Sequence, residues 1–203
     1  EFGYTAAILG DIQGPKLRVG IMKEDVIVHP GDTIVFATGK EFKGTASRVY
    51  MNYDTFPQDV QKGERILLDD GKLIFEIVST NKVDEVVTRV IQGGPLKSKK
   101  GVNLPNTNIS LPALTQKDIE DAIFACKIKV DWMALSFVRN EQDLILLQNL
   151  IKKHSEHKIP IISKIEKPER VRNIDKIVAY CDGLMVARGD LGVEIPAHEV
   201  PLI

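Results

Sequence analysis

The fold is read most directly from Pro160-Ile161-Ile162-Ser163-Lys164-Ile165-Glu166-Lys167-Pro168. Its centre is a short apolar run opened by one proline, the pattern of a buried strand, and Pro168 is placed to begin a helix. Strand side chains alternate, so Lys164 and Glu166 share a face. The same strand-then-helix unit recurs on both sides. Residues 132–135 read as a buried strand, and Asn140 caps a helix that turns Leu144, Leu147 and Ile151 inward. The helix begun by Pro168 carries Val171, Ile174 and Val178, and 183–187 is the last strand. Upstream, Thr115-Gln116-Lys117-Asp118 reads as a capping box before an apolar stripe of Ile119, Ala122, Ile123 and Cys126. Strands alternating with helices predict right-handed βαβ units and a parallel sheet.

Residues 5–12 have the character of one more buried parallel strand, ended by the Gly14-Pro15 turn. Between them and the α/β region the pattern changes. Residues 26–28, 33–37, 48–51, 65–68, 73–78 and 85–91 read as short strands, punctuated by Pro30-Gly31, Asp69-Asp70-Gly71 and Gly93-Gly94-Pro95. No amphipathic helix of useful length interrupts them. This spacing predicts a small closed β barrel. An all-β module at 16–114 therefore interrupts an α/β domain made of 1–15 and 115–203.

Composition narrows the function. A net charge of −1 over 203 residues argues against nucleic-acid or membrane-surface binding. No apolar run approaches the roughly 20 residues of a membrane span, and no secretory leader is visible, so a cytoplasmic protein is expected. Cys126 and Cys181 read as two buried reduced thiols. His29, His154, His157 and His198 lack metal-ligand spacing. The chain begins at Glu1-Phe2, which has the look of a cloning scar, and stops at Pro201-Leu202-Ile203; it reads as a piece excised from a longer protein.

In parallel α/β sheets, functional groups gather at the carboxyl ends of the strands. Asp11, Ser136, Lys164 with Glu166, and Asp190 all fall there. Two carboxylates, Glu166 and Asp190, with the Lys164 ammonium suit a divalent cation beside an anionic substrate; the alternative is a surface salt-bridge cluster with Arg188. Gly189 lets backbone approach a ligand at a helix start. Arg18 can fork onto phosphate oxygens, and Asp11 can bind a cation or orient Lys16, although in isolation the 11–18 loop reads better as a hinge with solvated charges. Residues 96–105 read as a basic, flexible stretch whose lysines reach a phosphate or merely form a solvated linker.

Taken together, 11–18, 98–105, Ser136-Phe137-Val138-Arg139, 162–166 and 182–196 resemble the pyruvate kinases, in order and with the expected spacing. The resemblance covers residues 5–203. It implies a (β/α)₈ barrel with a mobile β-barrel lid inserted after its third strand, of which this chain would hold strands three to six. It implies phosphoryl transfer from phosphoenolpyruvate to ADP, giving pyruvate and ATP, in a homotetrameric parent enzyme. By family role, Glu166 and Asp190 hold Mg²⁺, Lys164 stabilises the phosphoryl group in flight and the enolate, and backbone at Gly189 and Asp190 receives the substrate carboxylate. Arg18 and Lys100 contact nucleotide phosphates. Where most members read Asp-Thr-Lys-Gly-Pro-Glu, this chain reads Asp11-Ile12-Gln13-Gly14-Pro15-Lys16, like the branch that works without K⁺. There Ile12 would remove a hydroxyl ligand and Lys16 would supply the fixed charge. Residues from other barrel strands are missing from this span, so it is expected not to turn over alone. Two other readings are a non-catalytic nucleotide-binding module and a Mg²⁺-dependent lyase on a phosphoenolpyruvate-type barrel.

Overall fold

A computed structural model describes Gly3, residues 6–166 and 174–195, His198 and Val200. The chain divides into two compact units, one formed by Glu1–Pro15 with Pro112–Ile203 and the other by Lys16–Leu111. The second division falls between side chains with different allegiances. Ile109 and Leu111 pack on the core of the inserted unit, whereas Leu114 packs on the core of the α/β unit.

After β1 (Leu9–Ile12) the inserted unit runs β2 (Val26–Val28), β3 (Thr33–Ala37), β4 (Arg48–Tyr50), α1 (Phe56–Asp59), β5 (Arg65–Leu68), β6 (Leu73–Thr80), β7 (Glu85–Gln92), β8 (Gly94–Leu96) and β9 (Val102–Asn103). Six strands form one sheet in the order β4-β3-β7-β6-β5-β9. The segment around Arg18 and Val19 joins its two ends. Arg18 bridges Gly101 beside β9, and Val19 bridges Met51 beside β4. The Val19 N–H donates to the Lys100 carbonyl at 3.0 Å and the Gly20 N–H to the Tyr50 carbonyl at 2.9 Å. The sheet is thereby closed into a barrel, which removes its exposed edges. Alternate residues fill it: Ile34 and Phe36 from β3, Leu73, Phe75 and Ile77 from β6, Val86 and Val90 from β7. Phe36 meets Phe75 edge-on at 5.2 Å.

Three features differ from the sequence reading. Residues 96–105 are a stave of the barrel and not a flexible linker, because Leu96, Val102 and Leu104 sink into its core. Ser98 Oγ also accepts the Met22 N–H at 2.9 Å. The Gly93-Gly94-Pro95 turn is the entry to β8, which pairs antiparallel with β2. Finally, one turn of helix, α1, plugs the barrel with Phe56.

The α/β unit continues with α2 (Gln116–Lys127), β10 (Trp132–Leu135), α3 (Glu141–His154), β11 (Ile161–Ile165), α4 (Ile174–Val178), β12 (Gly183–Val186) and α5 (Arg188–Glu194). Its strands form a parallel sheet in the order β1-β10-β11-β12. Both expected caps form. Thr115 and Asp118 make a full capping box on α2, and Asn140 accepts the Gln142 N–H at the start of α3. Met133, Leu135, Ile161 and Ile165 pack one face of the sheet against Ala122, Cys126, Leu144, Leu147 and Ile151. The opposite face carries Asp11, Ser136 and Lys164.

Some burial expectations need correction. The first strand is shorter than 5–12 and less buried, since Leu9 is 43 % exposed; it is an edge strand, paired only with β10 among the described residues. On α2 the fully buried apolar residues are Ala122, Ala125 and Cys126, while Ile119 and Ile123 are half-buried. On α4 it is Ile177 that is buried, and Val178 is exposed. Pro168 and Val171 lie outside the described residues. Cys126 is buried as expected, but Cys181 is only half-buried; both are free thiols.

Candidate active site

The site is a consequence of register. Asp11, Ala134 and Ile162 stand level across β1, β10 and β11. Lys164 and Ser136 are each two residues further along their strands, on the same face. Two strand spacings, about 10 Å, separate the backbones of β11 and β1. The lysine side chain crosses that distance because only a serine lies between. Lys164 Nζ donates to Ser136 Oγ at 2.9 Å and to Asp11 Oδ2 and Oδ1 at 3.1 and 3.2 Å. It also pairs with Glu166 Oε1 at 3.3 Å. The Lys164 side chain is 14 % exposed, so this cation is held with little water around it.

Glu166 is buried. Its second oxygen, Oε2, accepts the backbone N–H of Phe137 at 2.8 Å. Burial pushes its carboxyl above the ordinary value, opposed by the Phe137 N–H and the Lys164 charge and reinforced by the nearby negative charge of Asp190. For Lys164, burial works against the charged form, but the carboxylates of Glu166 and Asp11 outweigh it and the ammonium titrates above its usual range. Asp190 is exposed in the first turn of α5. Lys164 and Glu166 are thus in direct contact, while Asp190 acts on Glu166 through its charge. A buried carboxylate whose charged form is further disfavoured by a neighbouring negative charge is an arrangement that a dication relieves. Among the described residues no group of three or more histidine, cysteine or acidic side chains could hold a metal. Glu166 and Asp190 are the two protein groups here that could hold a divalent ion, with water filling the rest of its shell.

Other expected residues fall as follows. Asp11 is half-exposed and is bound to Lys164 and Ser136. Ile12 does not face this group; its side chain is buried in the core on the other side of the sheet. A hydroxyl on residue 12 would point the same way, so loss of a side-chain ligand there cannot by itself explain a change in cation use. Gly189 sits in the first turn of α5, where N–H groups have no helical partner. Lys16 is exposed and opens the other unit.

Arg18 and Lys100 come together on the closing seam of the barrel, through the Arg18–Gly101 bridge. Arg18 Nη1 donates to the Lys99 carbonyl at 2.9 Å. Lys100 Nζ pairs with Asp69 Oδ1 at 2.9 Å, and that ammonium holds the Asp69 carboxyl below its ordinary value. Asp69 begins a turn in which Asp69, Asp70 and Gly71 are all left-handed, at φ 53°, 58° and 78°. The Asp-Asp-Gly sequence tolerates this conformation.

The sequence reading assigned no site role to Phe137, and to Asp118 only a place in the α2 capping box. Phe137 adopts φ 54°, which an aromatic residue rarely does and no local signal announces. Asp118 is buried; besides capping α2, its Oδ1 accepts the Gly14 N–H at 3.0 Å.

A family model described as pyruvate kinase, barrel domain, matches residues 1–203. The chain belongs to the pyruvate kinase family. Pyruvate kinase of Corynebacterium efficiens is 44 % identical over 201 residues, covering 99 % of this chain and 42 % of the relative. The Geobacillus stearothermophilus pyruvate kinase is 45 % identical over 203 residues, covering 99 % and 34 %. That of Mycobacterium tuberculosis is 42 % identical over 203 residues, covering 99 % and 42 %. The chain thus spans about two fifths or less of the pyruvate kinases it matches. Its architecture, a parallel α/β sheet interrupted by a β barrel, is consistent with part of the pyruvate kinase barrel fold.

Proposed function

We propose that these residues are the catalytic segment of a glycolytic phosphotransferase that moves the phosphoryl group of phosphoenolpyruvate to ADP, yielding pyruvate and ATP. The observation that carries the reading is the Lys164 ammonium, held 3.3 Å from buried Glu166 at the carboxyl end of the parallel strands. Family membership supplies the reaction class. Lys164 is aimed to stabilise negative charge on the transferring phosphoryl group and on the enolate oxygen left behind. It is pre-organised by Asp11 and Ser136, so little reorganisation accompanies the reaction. The N–H groups of Gly189 and Asp190 receive the substrate carboxylate. A magnesium ion bound by Glu166 and Asp190 would neutralise charge on the substrate's oxygens.

In this reading the Lys16–Leu111 unit is the lid, offering Arg18 and Lys100 to the nucleotide phosphates and excluding water. K⁺ is not required in this reading, because the Lys16 ammonium supplies the positive charge that K⁺ brings to other members. The parent enzyme is a cytoplasmic homotetramer, as the family resemblance implies, with no nucleic-acid or membrane partner. No helix among the described residues is long and apolar enough to cross a membrane.

The decisive assay is pyruvate formation by the polypeptide that carries this segment. Lys164→Met should lower kcat by at least about a hundredfold while leaving the fold intact. Wild-type turnover by that variant would refute the reading. A second assay compares rates with K⁺ and with only a large organic monocation. Equal rates are expected, and a strict K⁺ requirement would refute K⁺ independence.

A further inference from the structure

The chain leaves β10 by an unusual corner. Val138 is fully buried in the core, and the preceding Phe137 turns left-handed, with φ 54°, to allow it. That turn aims two groups at the site. The Phe137 N–H reaches Glu166 Oε2 at 2.8 Å, and buried Ser136 Oγ receives the Lys164 ammonium at 2.9 Å. One dipeptide thus contacts both partners of the Lys164–Glu166 pair. Its own place is fixed twice. The Ser136 N–H donates to the Ile12 carbonyl at 3.1 Å. Gly14 then lies against it so closely that a Cβ there would stand 3.0 Å from the Ser136 carbonyl oxygen and 3.2 Å from Phe137 Cδ2. Gly14 has φ 68° and is tied by its N–H to buried Asp118.

We infer that the Ser136–Phe137 corner, backed by the Gly14 turn, is the positioning element of the site. It pins Glu166 by Oε2 so that Oε1 faces Lys164 and a metal ion, and it holds the Lys164 ammonium between Ser136 and Asp11. Asp118 secures the assembly by joining the start of α2 to Gly14. They act through Glu166 and Lys164. The inference rests on the reading of Glu166 as a metal ligand, and its Lys164 arm is independent of it.

The test uses the polypeptide that carries this segment and two readouts: Mn²⁺ affinity by electron paramagnetic resonance, and the rate at which an amine-reactive reagent labels Lys164, read by peptide mass. Gly14→Ala should weaken Mn²⁺ binding about tenfold or more, the usual effect of losing a group that orients a ligand. Ser136→Ala should leave Mn²⁺ affinity within about threefold, a small part of that loss, but speed Lys164 labelling several-fold; Ser136→Thr, which keeps the hydroxyl, should restore protection. If wild type binds Mn²⁺ and folded Gly14→Ala binds it equally well, the positioning role of the corner is wrong. If Gly14→Ala does not fold, the serine pair decides, and unchanged Lys164 labelling in Ser136→Ala overturns the inference. If wild type binds no Mn²⁺, it is the metal-site reading that fails, and the labelling comparison still judges the hold on Lys164.

Discussion

Side chains at the strand ends do their work by being poor company for one another. Glu166 is buried beside another carboxylate, and Lys164 balances it only in part, since Glu166 still titrates high. The alternation of β11 made the shared face of Lys164 and Glu166 legible in the sequence. The contact of Lys164 with Asp11 was not, because it depends on register across two strand boundaries. The role given to Ile12 failed for the same reason: whether a residue near a strand end faces the site or the core is a matter of pleat. A second ion pair lies at the other end of these strands. Asp182 accepts from Lys158 at 2.6 Å and from the Ile161 N–H at 3.0 Å, which hold its carboxyl below the ordinary 3.8. A depressed carboxylate stabilises the fold above its unfolded value and stops doing so as pH falls through the folded value. Lys158→Ala should therefore lower the thermal midpoint at neutral pH, with the difference vanishing in strong acid. A pH-independent difference would show that the pair is not responsible.

Elements were legible where their boundaries are chemical. Thr115 and Asn140 announce helices because an oxygen at the N-cap satisfies orphan N–H groups whatever the tertiary context. β8, β9 and α1 were not, since each is too short to show a period. Gly93 illustrates how an element is placed by what it avoids. A Cβ on it would stand 2.2 Å from the Val28 carbonyl oxygen and 3.0 Å from His29 Cα, both backbone atoms that cannot swing away. Gly93→Ala should cost the barrel about 1–3 kcal/mol or more, measured by denaturant unfolding. An unchanged midpoint would mean that β2 and β8 are looser than they look.

At the scale of the molecule, two apolar cores form among the described residues without sharing one. The barrel unit is continuous in sequence, from Lys16 to Leu111, and its sheet is closed by its own first residues. We expect residues 16–111 expressed alone to unfold in one cooperative transition, followed by circular dichroism. A gradual, non-cooperative melt would show that the barrel depends on the α/β unit.

What the amino-acid order determined by itself was local and periodic. The alternation of strand and helix, the caps, the turn-rich insertion and the pairing of Lys164 with Glu166 on one face all follow from spacing along the chain, which covalent geometry carries directly into space. Tertiary structure alone decided the rest. The closing of the barrel by Arg18 and Val19, the reach of Lys164 to Asp11 and the left-handed corner at Phe137 join residues far apart in the chain or conformations without a sequence signature. They arise because neighbouring strands settle in register and a buried Val138 must be accommodated, and those are properties of packing.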